Sequence, residues 1–271
     1  KQAETLNKLL SEIDDTTGVT LSASLRSCRR CVRTIVPPAG MLEKLAAVMR
    51  SGGLTPPEDD DAWELAWKAI CDVWASKWNE RAFVSMRNRG LDHNNLRMSV
   101  LVQPVINADH AFVIHTVNPS TNAADELYAE VVQGMGETLV GNYPGRALSF
   151  TVKKTPDGDV SPPEIAGFPS KNTVLRVPRE TLIFRSDSNG EDLEGYAGAG
   201  LYESVPMHAT VEHHADYASD PLIWDHDASQ ATLAAVARAG AAIERALGAP
   251  QDVEGVVRDG RVFVVQTRPQ V

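Results

Sequence analysis

The stretch Phe184-Arg-Ser-Asp-Ser-Asn-Gly-Glu-Asp-Leu-Glu-Gly195 joins a predicted strand to a glycine-rich turn that begins with an arginine. Residues 182–184 are apolar and predict a short strand that leads into Arg185. The glycines allow the backbone to approach a ligand closely, and backbone N–H groups beside an arginine form a cradle for anions. A surface turn accounts for the same residues equally well, so this stretch alone leaves both interpretations open.

The end of the chain, Asp252-Val-Glu254 followed by Val265-Gln266-Thr-Arg268-Pro269, predicts a hairpin with strands at 253–257 and 261–266. Alternate residues of a strand share a face, so antiparallel pairing brings Glu254 near Gln266 and Arg268. A carboxylate and an amide oxygen suit Mg²⁺, and an arginine beside them can clamp a phosphoryl group. An ordinary surface ion pair is the alternative, and on these residues alone the commoner one. Taken with the Arg185 stretch, the hairpin indicates the triphosphate end of a nucleotide site.

The rest of the pattern predicts an α+β protein with mixed or antiparallel sheet, preceded by a helical segment. We expect a helical segment and linker over 1–57 and a nucleotide-binding domain over 58–271. The segment from Trp63 to Arg89 has aromatic residues at helical spacing and is expected to form one buried helix. Further predictions are a strand–turn–strand over 98–117, strands at 127–132 and 147–152, a short helix after Gly136, a loop over 154–170 and a helix over 229–247.

The composition of the chain limits the kinds of partner that it is expected to bind. The chain has 271 residues, 43% of them hydrophobic and 23% charged, with a formal net charge of −10. An acidic surface argues against nucleic acid or an anionic membrane as a partner bound through a general basic field. No apolar run reaches the length of a transmembrane helix. Since the polar start at Lys1 resembles neither an initiator nor a signal segment, we expect a piece of a longer or processed protein.

Several other groups have an ordinary interpretation beside a functional one. Cys28 and Cys31 have CxxC spacing without a second pair, which favours a structural or incidental role over a regulatory redox pair or a metal site. His213 and His214 lie in no recognisable acceptor motif and are expected to be structural. Most of the tryptophans are expected in the core rather than as sugar platforms. Two strand-end carboxylates are candidates for contacts to ribose or metal, with simple solvation as the alternative: Glu130 and Glu137.

Three motifs together carry a family resemblance. Arg185-Ser-Asp-Ser-Asn-Gly-Glu-Asp192-Leu-x-Gly195, continuing to Ala199-Gly200 and Ser204, resembles the arginine signature of the ATP-binding domain of pyruvate phosphate dikinase and phosphoenolpyruvate synthase. The tail with Glu254 and Gln266 resembles that family's closing motif, and Val102-Gln103-Pro-Val105 resembles its adenine-binding hinge strand. From about residue 62 onward the chain is more narrowly similar to the C-terminal domain of the α-glucan, water dikinases, through segments 74–82, 91–93, 105–109, 112–116, 136–140 and 143–150.

The resemblance implies an ATP-grasp-like fold that binds Mg-ATP in the chloroplast. It implies transfer of the β-phosphate, through a phosphohistidine on another domain, to glucosyl units of starch, while the γ-phosphate passes to water. Residue by residue, it implies that Mg²⁺ is bound by Glu254 and Gln266, that the phosphates are held catalytically by Arg185 and Arg268, and that the nucleotide also contacts Gln103, Val105 and Ser204.

Two departures qualify the resemblance. In the pyruvate-type relatives the arginine segment precedes the hinge strand, whereas here it follows it, which is the order of the α-glucan, water dikinases. The family's N-terminal ATP-site lysine and its phosphorylatable histidine have no counterpart in this sequence. The open alternatives are a phosphoglucan, water dikinase, a pyruvate-phosphate-dikinase-like enzyme, and a non-catalytic nucleotide-binding regulatory domain.

Overall fold

The computed structural model describes residues 2–11, 13, 17–141, 143–191 and 200–270. Its contacts divide the chain into two units, Lys1–Val105 with Thr181–Ala209, and Ile106–Glu180 with Thr210–Val271. Met49 and Trp67, from helices on either side of residue 57, pack in one core with Phe184, and the domain bounds expected at 1–57 and 58–271 stay a prediction. Part of the predicted glycine-rich turn lies outside the described residues: Asp192, Leu193, Gly195, Gly198 and Ala199.

The helices and strands are numbered separately along the chain. The helices are α1 (Gln2–Ser11), α2 (Gly18–Arg33), α3 (Met41–Ser51), α4 (Asp60–Ser76), α5 (Glu80–Asn88), α6 (Glu137–Val140), α7 (Pro221–Trp224) and α8 (His226–Leu247). The strands are β1 (Met98–Val105), β2 (His110–His115), β3 (Glu126–Gln133), β4 (Leu148–Lys153), β5 (Glu164–Gly167), β6 (Thr173–Arg176), β7 (Thr181–Ser188), β8 (Ser204–Pro206), β9 (Val211–His214), β10 (Gln251–Arg258) and β11 (Arg261–Pro269).

The first unit packs helices against a three-stranded antiparallel sheet of order β1-β7-β8. Helix α4 begins where the acidic run predicts, since the Asp59 side chain accepts a hydrogen bond of 2.7 Å from the Ala62 N–H. Trp67 and Trp78 are buried, which confirms the core interpretation for them. The aromatic stretch forms two helices rather than one, because the helical hydrogen bonds end near Lys77 and restart after Asn79.

The second unit is built on a six-stranded antiparallel sheet of order β11-β10-β2-β3-β4-β5, with β6 and β9 forming a separate pair. Helix α8 covers one face of the large sheet, where Leu233 and Val236 pack with Ile114 and Phe150. Gly240 permits this close approach, because a Cβ there would lie 2.9 Å from the Ile114 side chain. The helix ends at Gly248 in a left-handed conformation, as the sequence predicts.

The strand–turn–strand predicted over 98–117 is wrong as a pairing, although both strands exist. β1 pairs with β7, whereas β2 pairs with β3 and β10. The turn between them is the point at which the chain passes from the first unit to the second. The strands β5, β6, β8 and β9 were not predicted, since each is only three or four residues long.

The C-terminal hairpin is confirmed. Asp259 and Gly260 both have positive φ, the conformation that a two-residue hairpin turn requires. In the part of the chain that the structure describes, no helix combines the length and apolar character needed to cross a bilayer.

Candidate functional site

Four candidate residues of the first unit share one face of its sheet. Arg185 on β7 lies directly opposite Ser204 on β8, and Val105 on β1 lies opposite Thr181 on β7. Gln103 is two residues from Val105 on the same strand. Because directly paired residues and alternate residues project to the same face, the structure brings Gln103, Val105, Arg185 and Ser204 onto a single surface.

The helices of the first unit pack against the other face of this sheet and leave the surface with Arg185 uncovered by that core. Val102, Phe184 and Val205 point the opposite way and pack with the helices of the first unit. Arg185 therefore lies within a strand rather than in the turn that the sequence predicted. The turn begins at Asn189, whose side chain accepts a hydrogen bond of 2.6 Å from the Arg97 N–H.

In the second unit, the register of β10 and β11 brings the remaining candidates together. Glu254 lies directly opposite Gln266, as predicted. Arg268, two residues further along, lies opposite Asp252 and so diagonally from Glu254. A register shift follows Glu254, at Gly255, and a side chain there would collide with the Phe112 ring. This irregularity interrupts the regular pairing beside the two proposed metal ligands.

Asp252 lies in the candidate site beside Arg268, although sequence reasoning assigned it no role. Its Oδ2 accepts hydrogen bonds from Arg268 Nε at 2.9 Å and Nη2 at 2.6 Å. Both side chains are largely buried, with 21% of Arg268 and 12% of Asp252 exposed. The available signal was the spacing from Asp252 to Glu254, which puts both carboxylates on the same face of the strand.

Further polar groups lie on the same face of the large sheet. His115 on β2 is paired with Asp252 on one side and with Tyr128 on the other. The His115 and Tyr128 rings are stacked, with centroids 6.5 Å apart and planes 20° apart. The Tyr128 hydroxyl donates a 2.8 Å hydrogen bond to Glu130. Burial, with the hydrogen bond and charge of Glu130, raises the pKa of Tyr128 to about 12.

The other sequence candidates lie elsewhere. Glu137 is exposed in the first turn of α6. His213 and His214 are exposed on β9, and their structural role stays a prediction. Cys28 is buried in α2, where burial raises its thiol pKa to about 11 and so disfavours the thiolate that redox chemistry needs. Among the described residues, no group of three or more His, Cys, Asp or Glu side chains has an arrangement that holds a metal ion.

The family described as pyruvate phosphate dikinase, AMP/ATP-binding domain, matches residues 15–156. The match covers just over half of the chain, and the chain belongs to this family.

The relatives include "Alpha-glucan water dikinase, chloroplastic" of Solanum tuberosum, 54% identical over the whole chain. They also include "Alpha-glucan water dikinase 1, chloroplastic" of Arabidopsis thaliana, 53% identical over 98% of the chain. A "Probable phosphoenolpyruvate synthase" of Pyrococcus abyssi is 27% identical over 72% of the chain. The chain spans 18% of the length of each of the two plant relatives and 21% of the archaeal one.

Proposed function

We propose that this chain is the Mg-ATP-binding part of an α-glucan, water dikinase that acts in the chloroplast. In the complete enzyme, the β-phosphate of ATP passes through a phosphohistidine on another domain to glucosyl units of starch-like α-glucan. The γ-phosphate passes to water, and AMP is released. The observation that carries this proposal is the similarity to the named glucan enzymes, which is higher than that to the phosphoenolpyruvate synthases and extends over the whole chain.

The face of the first unit that carries Arg185 would bind the nucleotide. Gln103 and Val105 contact adenine, and Arg185 and Ser204 hold the phosphates. The support is that all four project from one face, with Ser204 directly across from Arg185. An arginine carries several N–H donors in a rigid fork that matches phosphate oxygens, and a hydroxyl opposite it adds a further donor.

Mg²⁺ fits the pair Glu254 and Gln266 on the second unit. The two residues are directly opposed on neighbouring strands, so a carboxylate and an amide side chain project from the same face. Mg²⁺ prefers oxygen ligands, needs few from the protein, and takes the rest from substrate phosphates and water. A site with two protein ligands therefore suits a phosphate-bridging Mg²⁺, which would neutralise charge on the triphosphate when bound.

Arg268 would act on the transferring phosphoryl group, with Asp252 fixing its guanidinium. Phosphoryl transfer depends mostly on positioning and charge neutralisation rather than on covalent chemistry by the protein. A guanidinium that is already oriented by two hydrogen bonds needs little reorganisation when charge develops beside it. We therefore assign the catalytic role to Arg268, with Arg185, and the orienting role to Asp252.

The proposal is tested by calorimetric titration of the chain with Mg-ATP. The site variant is Arg185→Ala/Arg268→Ala, and the matched control is Arg26→Ala/Arg50→Ala, which removes two positive charges from exposed helical positions. We expect saturable binding by the parent and the control and a loss of binding in the site variant. Equal binding by both double variants, or no binding by the parent and by a longer form of the protein, would contradict the proposal.

Binding alone does not separate an enzyme from a non-catalytic nucleotide-binding domain. In the complete protein, ATP labelled in the β-phosphate should transfer its label to glucan, and ATP labelled in the γ-phosphate should release it as orthophosphate. Label that never reaches glucan, in a protein that binds Mg-ATP normally, would favour the non-catalytic alternative.

A further inference from the structure

A row of five polar side chains, which begins at Arg268, runs across four strands of the large sheet. In order across β11, β10, β2 and β3, the row is Arg268, Asp252, His115 and Tyr128, and it ends at Glu130 two residues along β3. Most links in the row are direct contacts, namely the Arg268–Asp252 ion pair, the stacked His115 and Tyr128 rings and the Tyr128–Glu130 hydrogen bond. The link between Asp252 and His115 is different.

The two hydrogen bonds from Arg268 to Asp252 end on the same carboxylate oxygen, Oδ2. The other oxygen, Oδ1, lies 4.0 Å from His115 Nδ1. Both atoms are buried, and neither has a hydrogen-bond partner among the described residues. Buried polar atoms are nearly always paired, so two unpaired atoms that face each other require an explanation.

The gap of 4.0 Å is too long for a hydrogen bond, so the bond forms only when one of the two side chains moves toward the other. The His115 ring is restrained on its other side by the Tyr128 ring, which the hydrogen bond to Glu130 in turn holds. A neutral imidazole with its hydrogen on Nδ1 supplies the donor that the carboxylate lacks.

Asp252 Oδ1 lacks a donor already in the free chain, and the need for one grows when the guanidinium of Arg268 turns toward a phosphoryl group. Asp252 then shares the N–H donors of Arg268 with the phosphate. Because Asp252 is largely buried, a carboxylate oxygen without a hydrogen-bond donor there costs free energy. We propose that His115 is a positioning residue for Arg268: it hydrogen-bonds Asp252 Oδ1 and so keeps the carboxylate aligned on the arginine, both in the free chain and while Arg268 holds the triphosphate. This inference rests on the proposed function in one respect, namely that Arg268 contacts the phosphates.

The test compares His115→Phe with His115→Asn. Phenylalanine keeps a ring to stack on Tyr128 and removes both nitrogens, whereas asparagine carries an amide N–H donor close to the place of Nδ1. His213→Phe is the control, since His213 is an exposed histidine on a short strand of the same unit. We expect His115→Phe to weaken Mg-ATP binding about tenfold, the effect of one hydrogen bond to a charged group. His115→Asn should recover most of the affinity, and the control should match the parent.

A double-mutant cycle separates positioning from a general structural role. If His115 acts through Arg268, His115→Phe has no further effect on binding in an Arg268→Ala background. The same loss in both backgrounds, or no loss in the single variant, would overturn the proposal.

A second measurement does not depend on nucleotide binding and therefore separates failure of this inference from failure of the proposed function. It is the hydrogen-exchange rate of the Arg268 Nε–H, followed by NMR in the chain alone. We expect faster exchange in His115→Phe, with the parent rate restored in His115→Asn. An Nε–H that exchanges at the parent rate in His115→Phe would refute the positioning role, whether or not the chain binds Mg-ATP.

Discussion

Substitution of Asp220 by alanine should destabilise the second unit strongly. Asp220 is 5% exposed and stands immediately before helix α7. Its carboxylate contacts His110 Nε2 at 3.1 and 3.2 Å and accepts hydrogen bonds from Gln133 Nε2 at 2.7 Å and from the Leu222 N–H at 3.0 Å. One side chain therefore joins a helix start to two strands of the large sheet.

The magnitude follows from what each partner loses. Removal of a helix cap costs about 1 kcal/mol. A buried donor left without its acceptor costs about 1–3 kcal/mol, which applies in full to His110. Gln133 loses less, because its Nε2 also donates to the Asp216 carbonyl at 2.7 Å. We therefore expect Asp220→Ala to lower the free energy of unfolding by about 4 kcal/mol.

Hydrogen exchange followed by mass spectrometry is the suitable assay, because it reports the two units separately. Peptides from α8 and β10 should lose protection in Asp220→Ala, while peptides from α4 in the first unit serve as an internal reference. Asp225→Ala is the matched control, since Asp225 caps α8 from an exposed position and should cost only about 1 kcal/mol. Equal effects of the two substitutions would refute the assignment of Asp220 as a buried side chain that joins the start of α7 to strands β2 and β3.

The same residue gives an expected pH dependence. Burial acts to raise the pKa of Asp220, but the hydrogen bond and charge of His110, with the bonds from Gln133 and the Leu222 N–H, outweigh it, so the pKa lies below its ordinary value of 3.8. A carboxyl whose pKa is lowered on folding stabilises the fold fully above its unfolded pKa. The stabilisation from Asp220 should therefore be lost as the pH falls below about 3.8, and the difference between the parent and Asp220→Ala should shrink there.

Two further substitutions test other parts of the structure. Gly255→Ala places a Cβ against the Phe112 ring and 2.6 Å from the Phe263 carbonyl oxygen. We expect the free energy of unfolding, measured in urea, to fall by about 1–3 kcal/mol and Mg-ATP binding to weaken. Gly260→Ala at the hairpin turn is the control, because its Cβ would meet no atoms within 4 Å and only the positive φ would cause strain. Burial, aided by the charge of Lys77, lowers the pKa of His93 from 6.5 to about 4, so the parent should lose stability relative to His93→Phe as the pH falls from about 6.5 to about 4. Parallel pH profiles for parent and variant would contradict that assignment.

The C-terminal hairpin shows what the sequence can predict. Its turn residues and alternating pattern indicate both strands, and the alternation alone places Gln266 and Arg268 on one face. The register then confirms that Glu254 lies opposite Gln266. These features depend on residues close in sequence, and local patterns contain the information needed to predict them.

The environment of Asp252 shows where sequence reasoning ends. Its neighbour His115 comes from β2, more than 130 residues earlier in the chain, and no local pattern states which strands will be adjacent. The same limit explains the wrong pairing of β1 with β2, because two strands separated by a short turn usually pair. Here the intervening turn carries the chain into another unit, which is a property of the whole fold.

The helices that cover one face of each of the two larger sheets explain why the candidate residues alternate with core residues along their strands. Each sheet has one face covered by helices, where Phe184 in the first unit and Val253 in the second are almost fully buried. Their neighbours Arg185 and Glu254 must then project from the opposite face. A shift of one residue in the register of β7 or β10 would exchange the two sets and bury a charge in place of an apolar side chain. The hydrophobic cores that stabilise each unit are therefore also what fixes the direction of the groups proposed to bind Mg-ATP, so substitutions such as Gly255→Ala should impair stability and binding together.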